Sequence, residues 1–261
     1  MTLRPLLLAV SLLGAFLAGS LVAVDRPTAP PAFPAEVPPY RNLDASLYMQ
    51  TSAEYRACCY QAYNLATLRL RAALEKKPNR PAVILDLDET VLDNGGFQAT
   101  QIRSGLAYDQ RLWDQWEEKG GEHVALIPGA KEFLAEADGL VELFYISNRS
   151  DKFREQTKAV LNRLGVPLRD NEHLLLSKDT SDKTARRKQV EEGRQVLLLI
   201  GDSLRDFDER FRCSKLEKRT PEELEAAIAG RKEQVDQTRE RFGDRWVILP
   251  NTAYGEWGKP L

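Results

Sequence analysis

The chain is short of the residues that build most metal clusters and thiol sites. Its 261 residues include three cysteines and two histidines. Cys58, Cys59 and Cys213 follow no metal-ligand spacing, and only His123 and His173 could join them, which argues against zinc. An odd cysteine count also excludes a complete disulfide framework within one chain. One bridge from Cys58 or Cys59 to Cys213 stays open, and so do buried thiols. Charge of one sign is lacking too. A formal net charge of −2 leaves no broad basic face for a nucleic-acid polymer, so any anion site must be made locally. Neither G-x-x-x-x-G-K-[ST] nor G-x-G-x-x-G occurs, so no phosphate loop of those types is present. No internal repeat is visible.

What remains is ordinary globular composition, 43% hydrophobic and 29% charged, with length for one good core plus an accessory layer. The first stretch stands apart. Arg4 is followed by an apolar or small run from Pro5 to Val24, with no charge before Asp25. This is the pattern of an export signal over residues 1–24, cleaved after Ser20 or Ala23. The run is also about long enough to span a bilayer, so an uncleaved membrane anchor through residues 5–24 is the alternative. No cysteine lies near its end, which excludes a lipid-modified cysteine there. The expected location is periplasmic or extracellular. Residues 25–43 hold Pro27, Pro30, Pro31, Pro34, Pro38 and Pro39 and read as an extended linker. One domain is expected over 44–261.

Within that domain, Asp44 to Lys77 lacks Pro and Gly, and its small and apolar residues recur near helical spacing, predicting one or two helices. Tyr48, Tyr55, Tyr60 and Tyr63 read as packing. A buried strand follows near Pro81 to Asp86. Residues 95–127 carry Trp113 and Trp116 amid charges and are too long for a simple βα loop, so they read as an inserted, mainly helical cap. Then come a helix over Ala130–Ala137, a strand over Val141–Ser147, and a helix from Lys152 to Leu164 stopped by Gly165. A short strand over His173–Leu176, a charged helix over Thr180–Glu192 and a strand over Gln195–Ile200 complete the central run. A polar helix over Pro221–Phe242 precedes a last strand over Trp246–Leu249. The alternation predicts an α/β fold, a parallel sheet with helices on both faces.

Such sheets carry their chemistry at the carboxyl ends of the strands. Four strand ends here are polar: Asp86 and Asp88, Ser147-Asn148, the region of Lys183, and Asp202 with Asp206. Each is weak evidence alone. Their order is a strong joint signal, because a parallel sheet brings all four to one rim.

This order resembles the haloacid-dehalogenase-like phosphohydrolase (HAD) superfamily, a Rossmannoid fold, and within it the class C acid phosphatase branch. The matching residues are D-x-D-E-T at Asp86 to Thr90, S-N-R at Ser147 to Arg149, Lys183, and G-D-x-x-x-D at Gly201 to Asp206. Leu249-Pro250-Asn251-Thr252-Ala253-Tyr254-Gly255-Glu256-Trp257 adds a further match. The resemblance runs from about residue 44 to the C-terminus. The branch is often lipoprotein-anchored, and the absent cysteine departs from that pattern.

The resemblance implies a phosphomonoesterase working through an aspartyl-phosphate. Phosphate-ester hydrolysis needs a nucleophile, a proton for the leaving alkoxide and positive charge around the phosphoryl oxygens. By resemblance Asp86 is the nucleophile and Asp88 the general acid and then base. A carboxyl near another carboxylate can be harder to ionise, which suits that alternation and an acidic optimum. The acids suit a hard cation such as Mg²⁺, held by resemblance through Asp86, Asp202 and the Asp88 backbone carbonyl. Asp206 would act through water or steady Lys183. Ser147, Asn148 and Lys183 would bind phosphate. Lys183 is preferred over Lys178 because Asp182-Lys183-Thr184 followed by Arg186-Arg187 fits the branch better. Arg186 and Arg187 either assist or form an exposed basic helix face. His123 reads as a surface loop residue.

In the branch, aromatic side chains sandwich a leaving group that is often a nucleoside. Trp113 and Tyr254 stand at the corresponding positions, so the expected substrate is a small phosphomonoester, nucleoside 5'-monophosphates included. A phosphatase or phosphotransferase for other small phosphate esters is the near alternative. A non-catalytic binding or storage protein on the same fold would have lost an acid or the lysine, and none is lost. A homo-oligomer stays open.

Overall fold

The computed structural model describes residues 42–106, 108–213 and 220–258. The expected signal segment 1–24 and most of the linker lie outside the described residues. In chain order the helices are α1 (Leu43–Thr51), α2 (Ala53–Leu74), α3 (Gly95–Ser104), α4 (Gln110–Lys119), α5 (Ala130–Ala137), α6 (Arg154–Arg163), α7 (Thr184–Glu191), α8 (Leu204–Phe207) and α9 (Pro221–Asp236). The strands are β1 (Pro81–Leu85), β2 (Leu92–Asp93), β3 (Ala125–Leu126), β4 (Glu142–Ser150), β5 (Leu174–Ser177), β6 (Gln195–Gly201) and β7 (Trp246–Ile248).

Five strands form one parallel sheet in the order β5-β4-β1-β6-β7, with β1 in the middle. The period-two rule divides β1 between two cores. Val83 and Leu85 point to the larger one, shared with Tyr63 and Leu70 of α2, Phe133 of α5 and Leu161 of α6. Ala82 and Ile84 point to the other face, with Phe144, Ile146 and Val190 of α7. Helices therefore cover both faces, and the near-continuous apolar strand is a consequence of double-sided burial. Full burial of a side chain such as Val83 or Leu85 stabilises by about 1.5–3 kcal/mol.

Local chemistry sets the helix ends. Ser52 caps α2 by accepting from the Tyr55 amide at 2.9 Å. The left-handed Gly165, at φ 70°, closes the turn after α6. Two helices are shorter than their sequence patterns predict. The helix expected from Thr180 starts only at Thr184, because side chains take the backbone of the preceding loop: Thr180 Oγ1 accepts from the Asp182 amide at 3.1 Å and Asp182 Oδ1 from the Thr184 amide at 2.7 Å. Lys183 thus sits at the N-cap. The helix expected to reach Phe242 ends at Asp236, where Thr238 Oγ1 bonds back to the Gln234 carbonyl at 2.9 Å.

The inserted segment forms α3 and α4 and is bounded by a small antiparallel pairing of β2 with β3. Its two strand residues on each side were not signalled by the sequence. The linker boundary also shifts slightly, since Leu43 already belongs to α1. No helix among the described residues is long and apolar enough to cross a membrane.

Candidate active site

The chain leaves β1 at Asp86, whose amide still pairs with the Ile200 carbonyl at 2.9 Å. It then turns sharply. The Leu87 carbonyl accepts from the amides of Thr90, Val91 and Leu92 at 3.2, 2.8 and 2.7 Å. Glu89 takes up the turn with a left-handed φ of 52°, uncommon for a residue with a Cβ. Its buried carboxylate holds that conformation: Oε1 accepts from the Asn94 amide at 3.1 Å and Oε2 from the Tyr254 hydroxyl.

The four polar strand ends do meet. Carboxylate oxygens of Asp86, Asp202 and Asp206 lie within 4.8 Å of one another. Lys183, 4% exposed, places its Nζ 2.6 Å from Asp86 Oδ1 and 2.7 Å from Asp206 Oδ1. The second Asp206 oxygen accepts from the Ser203 amide at 2.9 Å, closing a capping box on α8. Gly201 makes this fit possible, since a Cβ there would lie 2.3 Å from Asp206 Oδ2. Asp206 is therefore already engaged on both oxygens, which supports the steadying role over direct ligation.

Asp202 is held by Thr90 Oγ1 at 3.3 Å and by Asn251 Nδ2 at 2.7 Å. Asn251 is oriented in turn by the Ala253 amide, which donates to its Oδ1 at 3.0 Å. Asp88 stands opposite. Its Oδ1 accepts from Arg149 Nε at 2.8 Å and Asn94 Nδ2 at 2.9 Å, and its Oδ2 lies 3.3 Å from Ser147 Oγ. Ser147 is fully buried, and its hydroxyl also accepts from the Arg149 amide at 3.1 Å. It reaches a ligand only by exchanging these contacts. Asn148 is exposed to the pocket and its Oδ1 accepts from Arg186 Nη2 at 2.8 Å.

The arrangement has an electrostatic imbalance. Three carboxylates crowd together, and the Lys183 ammonium bonds two of them, Asp86 and Asp206. Burial pushes the Asp86 carboxyl well above its ordinary range, Lys183 opposes this, and Asp206, Asp202 and Asp88 add to it. Burial, then Asp206, pushes Asp202 up to about 7. Burial works against the Lys183 ammonium, but Asp206 and Asp86 outweigh it and hold the group at about 12. Oxygen-only donors with surplus negative charge fit a hard divalent cation.

Around this centre a cleft of about 1530 Å³ is lined by Asp86, Asp88, Asn148, Lys183 and Asp202, and by the rings of Phe97, Tyr108, Trp113 and Tyr254. Trp113 packs edge-on against Phe97 with centroids 5.0 Å apart. Tyr254 is 40% exposed and Tyr108 62% exposed, so both offer ring surface to a ligand.

Several contributors were not legible beforehand. Arg186 is no free surface cation: it donates to the Ser147 carbonyl at 2.6 Å as well as to Asn148, bracing the last residues of β4. Arg187 is buried and donates to the carbonyls of Arg205 and Asp206 at 3.1 and 3.2 Å. The exposed-face reading of this pair is thus replaced by a bracing one. Thr90, Asn251 and Arg149 carried no assigned role in the sequence, although all three lie inside its motifs. His123 is exposed and stacks on Trp116, with centroids 6.3 Å apart, away from the acids. Cys58 is an exposed thiol and Cys59 a buried one, so neither is bridged to Cys213.

Comparison with known proteins agrees with this geometry. The family model described as HAD superfamily, subfamily IIIB (Acid phosphatase) matches residues 29–257. The fold is similar to the class C acid phosphatase from Bacillus anthracis, at TM-score 0.72 and 35% identity, covering 83% of this chain and 86% of that one. The crystal structure of that Bacillus anthracis enzyme with tungstate bound matches with the same values.

Proposed function

Because the chain belongs to subfamily IIIB of the HAD superfamily, the acid phosphatases, and is a phosphomonoesterase, we propose that Asp86 is its nucleophile and Asp88 its general acid and base. The observation that carries this reading is the pairing pattern. Asp86 bonds to Lys183 and has carboxylate oxygens of Asp202 and Asp206 within 4.8 Å, while Asp88 is set apart in its own hydrogen-bonded frame. The two carboxyls therefore have different surroundings, as two different tasks require.

Lys183 and the backbone around Asn148 are suited to the phosphoryl oxygens, with Ser147 turning its hydroxyl from Asp88 to join them. Tungstate is a tetrahedral oxyanion, and its binding to the Bacillus anthracis relative supports the reading that this chain also binds an oxyanion. The reaction then runs in two halves. An Asp86 oxygen bonds to phosphorus as the ester oxygen leaves with the Asp88 proton. Water next attacks the aspartyl-phosphate, gives its proton to Asp88, and frees phosphate and the Asp86 carboxylate.

Asp86, Asp202 and the Asp88 carbonyl would hold a divalent cation, for which Mg²⁺ suits the hard oxygen donors. When bound, it supplies positive charge that lets an anionic nucleophile meet an anionic ester. Trp113, Tyr254 and Tyr108 make the cleft a fit for an aromatic leaving group, which favours nucleoside 5'-monophosphates. Export rests on the apolar run of residues 5–24.

Two measurements test the proposal. Purified, metal-loaded Asp86→Asn should fold and show no turnover; retained activity refutes the nucleophile. A panel of phosphate esters should favour nucleotides over sugar phosphates, and the reverse ranking removes the nucleotide reading.

A further inference from the structure

The side chain of Arg149 is 1% exposed and is the largest fully buried one among the described residues. A guanidinium is kept from water only where its donors are used. Here Nε and Nη2 are used on the frame of Asp88. Nε donates to Asp88 Oδ1 at 2.8 Å, and Nη2 donates to Asn94 Oδ1 at 2.9 Å. Asn94 closes the ring by donating from Nδ2 to the same Asp88 oxygen at 2.9 Å. Trp116 Nε1, from the inserted segment, also donates to Asn94 Oδ1 at 2.9 Å, so the amide cannot flip without losing three bonds. The guanidinium carbon lies 5.7 Å from the centroid of the Trp113 ring.

The two oxygens of Asp88 are thus unequal. Oδ1 faces N–H donors that cannot change role, since neither a guanidinium nor an amide NH₂ accepts a proton. Among the described residues Oδ2 meets only the Ser147 hydroxyl, at 3.3 Å, which can donate or accept. A proton placed on Oδ1 would point at other donors. We propose that Arg149 is a positioning residue that reserves Oδ1 of Asp88 as a permanent acceptor and leaves Oδ2 as the atom that gives and takes the catalytic proton.

This rests on the reading of Asp88 as general acid and base. In the first half the proton leaves Oδ2 for the ester oxygen as the bond from that oxygen to phosphorus breaks. In the second half Oδ2 receives the proton of the attacking water. Without the fork of Arg149, Oδ1 keeps only the Asn94 amide as a donor, and the proton is less firmly confined to the oxygen that faces the reaction. The Arg149→Lys change would keep the charge, but an ammonium could not span Asp88 and Asn94 with a planar pair of donors.

The test is the dependence of kcat/KM on the leaving group, because a good leaving group needs no proton in the first half. Arg149→Met should lower kcat/KM for alkyl phosphates by about 100-fold, the low end of general-acid contributions, and that for 4-nitrophenyl phosphate by less than about tenfold. Arg149→Lys should show the same selectivity with a smaller loss. Parallel losses on both esters would make Arg149 structural only and overturn the inference. Should Arg149→Met not fold, Arg149→Lys carries the test, and wild-type rates on alkyl phosphates then overturn it. Asp88→Asn is measured alongside. If Asp88→Asn itself lacks the selectivity, the general-acid reading fails and the positioning role fails with it. If Asp88→Asn is selective and the Arg149 variants are not, only the inference about Arg149 fails.

Discussion

Asp202→Asn should make the metal-free protein more stable at neutral pH while destroying its activity. Burial, then Asp206, pushes Asp202 up to about 7 in the folded chain, against about 3.9 when unfolded. The native state therefore holds that proton more tightly than the unfolded chain does. The associated stability is present below about pH 4 and is lost as the pH rises to about 7. Above that range, ionised Asp202 costs the fold about 4 kcal/mol, trimmed to about 2–4 kcal/mol by water entering the open cleft. The asparagine removes this cost and can still accept from Asn251 Nδ2, which lies 2.7 Å from Asp202 Oδ2. At roughly 2–4 °C per kcal/mol for a domain of this size, the Tm gain at pH 7.5 in EDTA is on the order of 5–10 °C. Added Mg²⁺ should raise the wild-type Tm, more at pH 7.5 than at pH 5, and should do little for the variant. Differential scanning calorimetry over pH 4.5–8 with EDTA or Mg²⁺ makes the comparison. A metal-free variant less stable than wild type at pH 7.5, or an equal Mg²⁺ response in both proteins, would refute the charge-surplus argument.

Two further outcomes are expected. Gly201→Ala places a Cβ 2.3 Å from Asp206 Oδ2 and 2.5 Å from its Cβ, so Asp206 must move and Lys183 with it. Misplacement of this order costs about 100-fold in kcat, and an unchanged kcat would mean that the Asp206–Lys183 contact does not matter to the chemistry. Trp113→Ala should raise KM for a nucleoside monophosphate by about 5- to 100-fold, the worth of one lost stacking contact, with a much smaller change for a small aryl phosphate. Equal changes in steady-state KM for both would leave Trp113 a structural role only, in its contacts with Phe97 and Arg149.

The bracing residues show how a site extends past its reacting groups. Asp202 depends on Asn251, which is 49 residues away, and the Glu89 turn depends on Tyr254, which is 165 residues away. Arg186 braces the end of β4 that presents Asn148, without a hydrogen bond to the acids itself. Of these groups Glu89 is buried, and its carboxylate would be costly to leave unpaired.

The sequence by itself determined the frame. Alternating apolar runs and helical segments imply a parallel sheet, and a parallel sheet must bring the ends of β1, β4 and β6 to one rim. Asp86, Asp88, Ser147 and Asp202 were legible for that reason, and Lys183 through its place in the order of motifs. Helix Ala130–Ala137 was legible to the residue because its periodicity is local. What the tertiary structure alone decided are contacts without a local period: the Thr90 and Asn251 grip on Asp202, the buried bracing by Arg187, and the start of α7 at Thr184. The division of Asp88 into two unequal oxygens belongs here as well. It depends on which donors converge from β4, from the turn at Asn94 and from the inserted segment. No spacing along the chain encodes that convergence; only packing brings those groups within hydrogen-bond distance of one another.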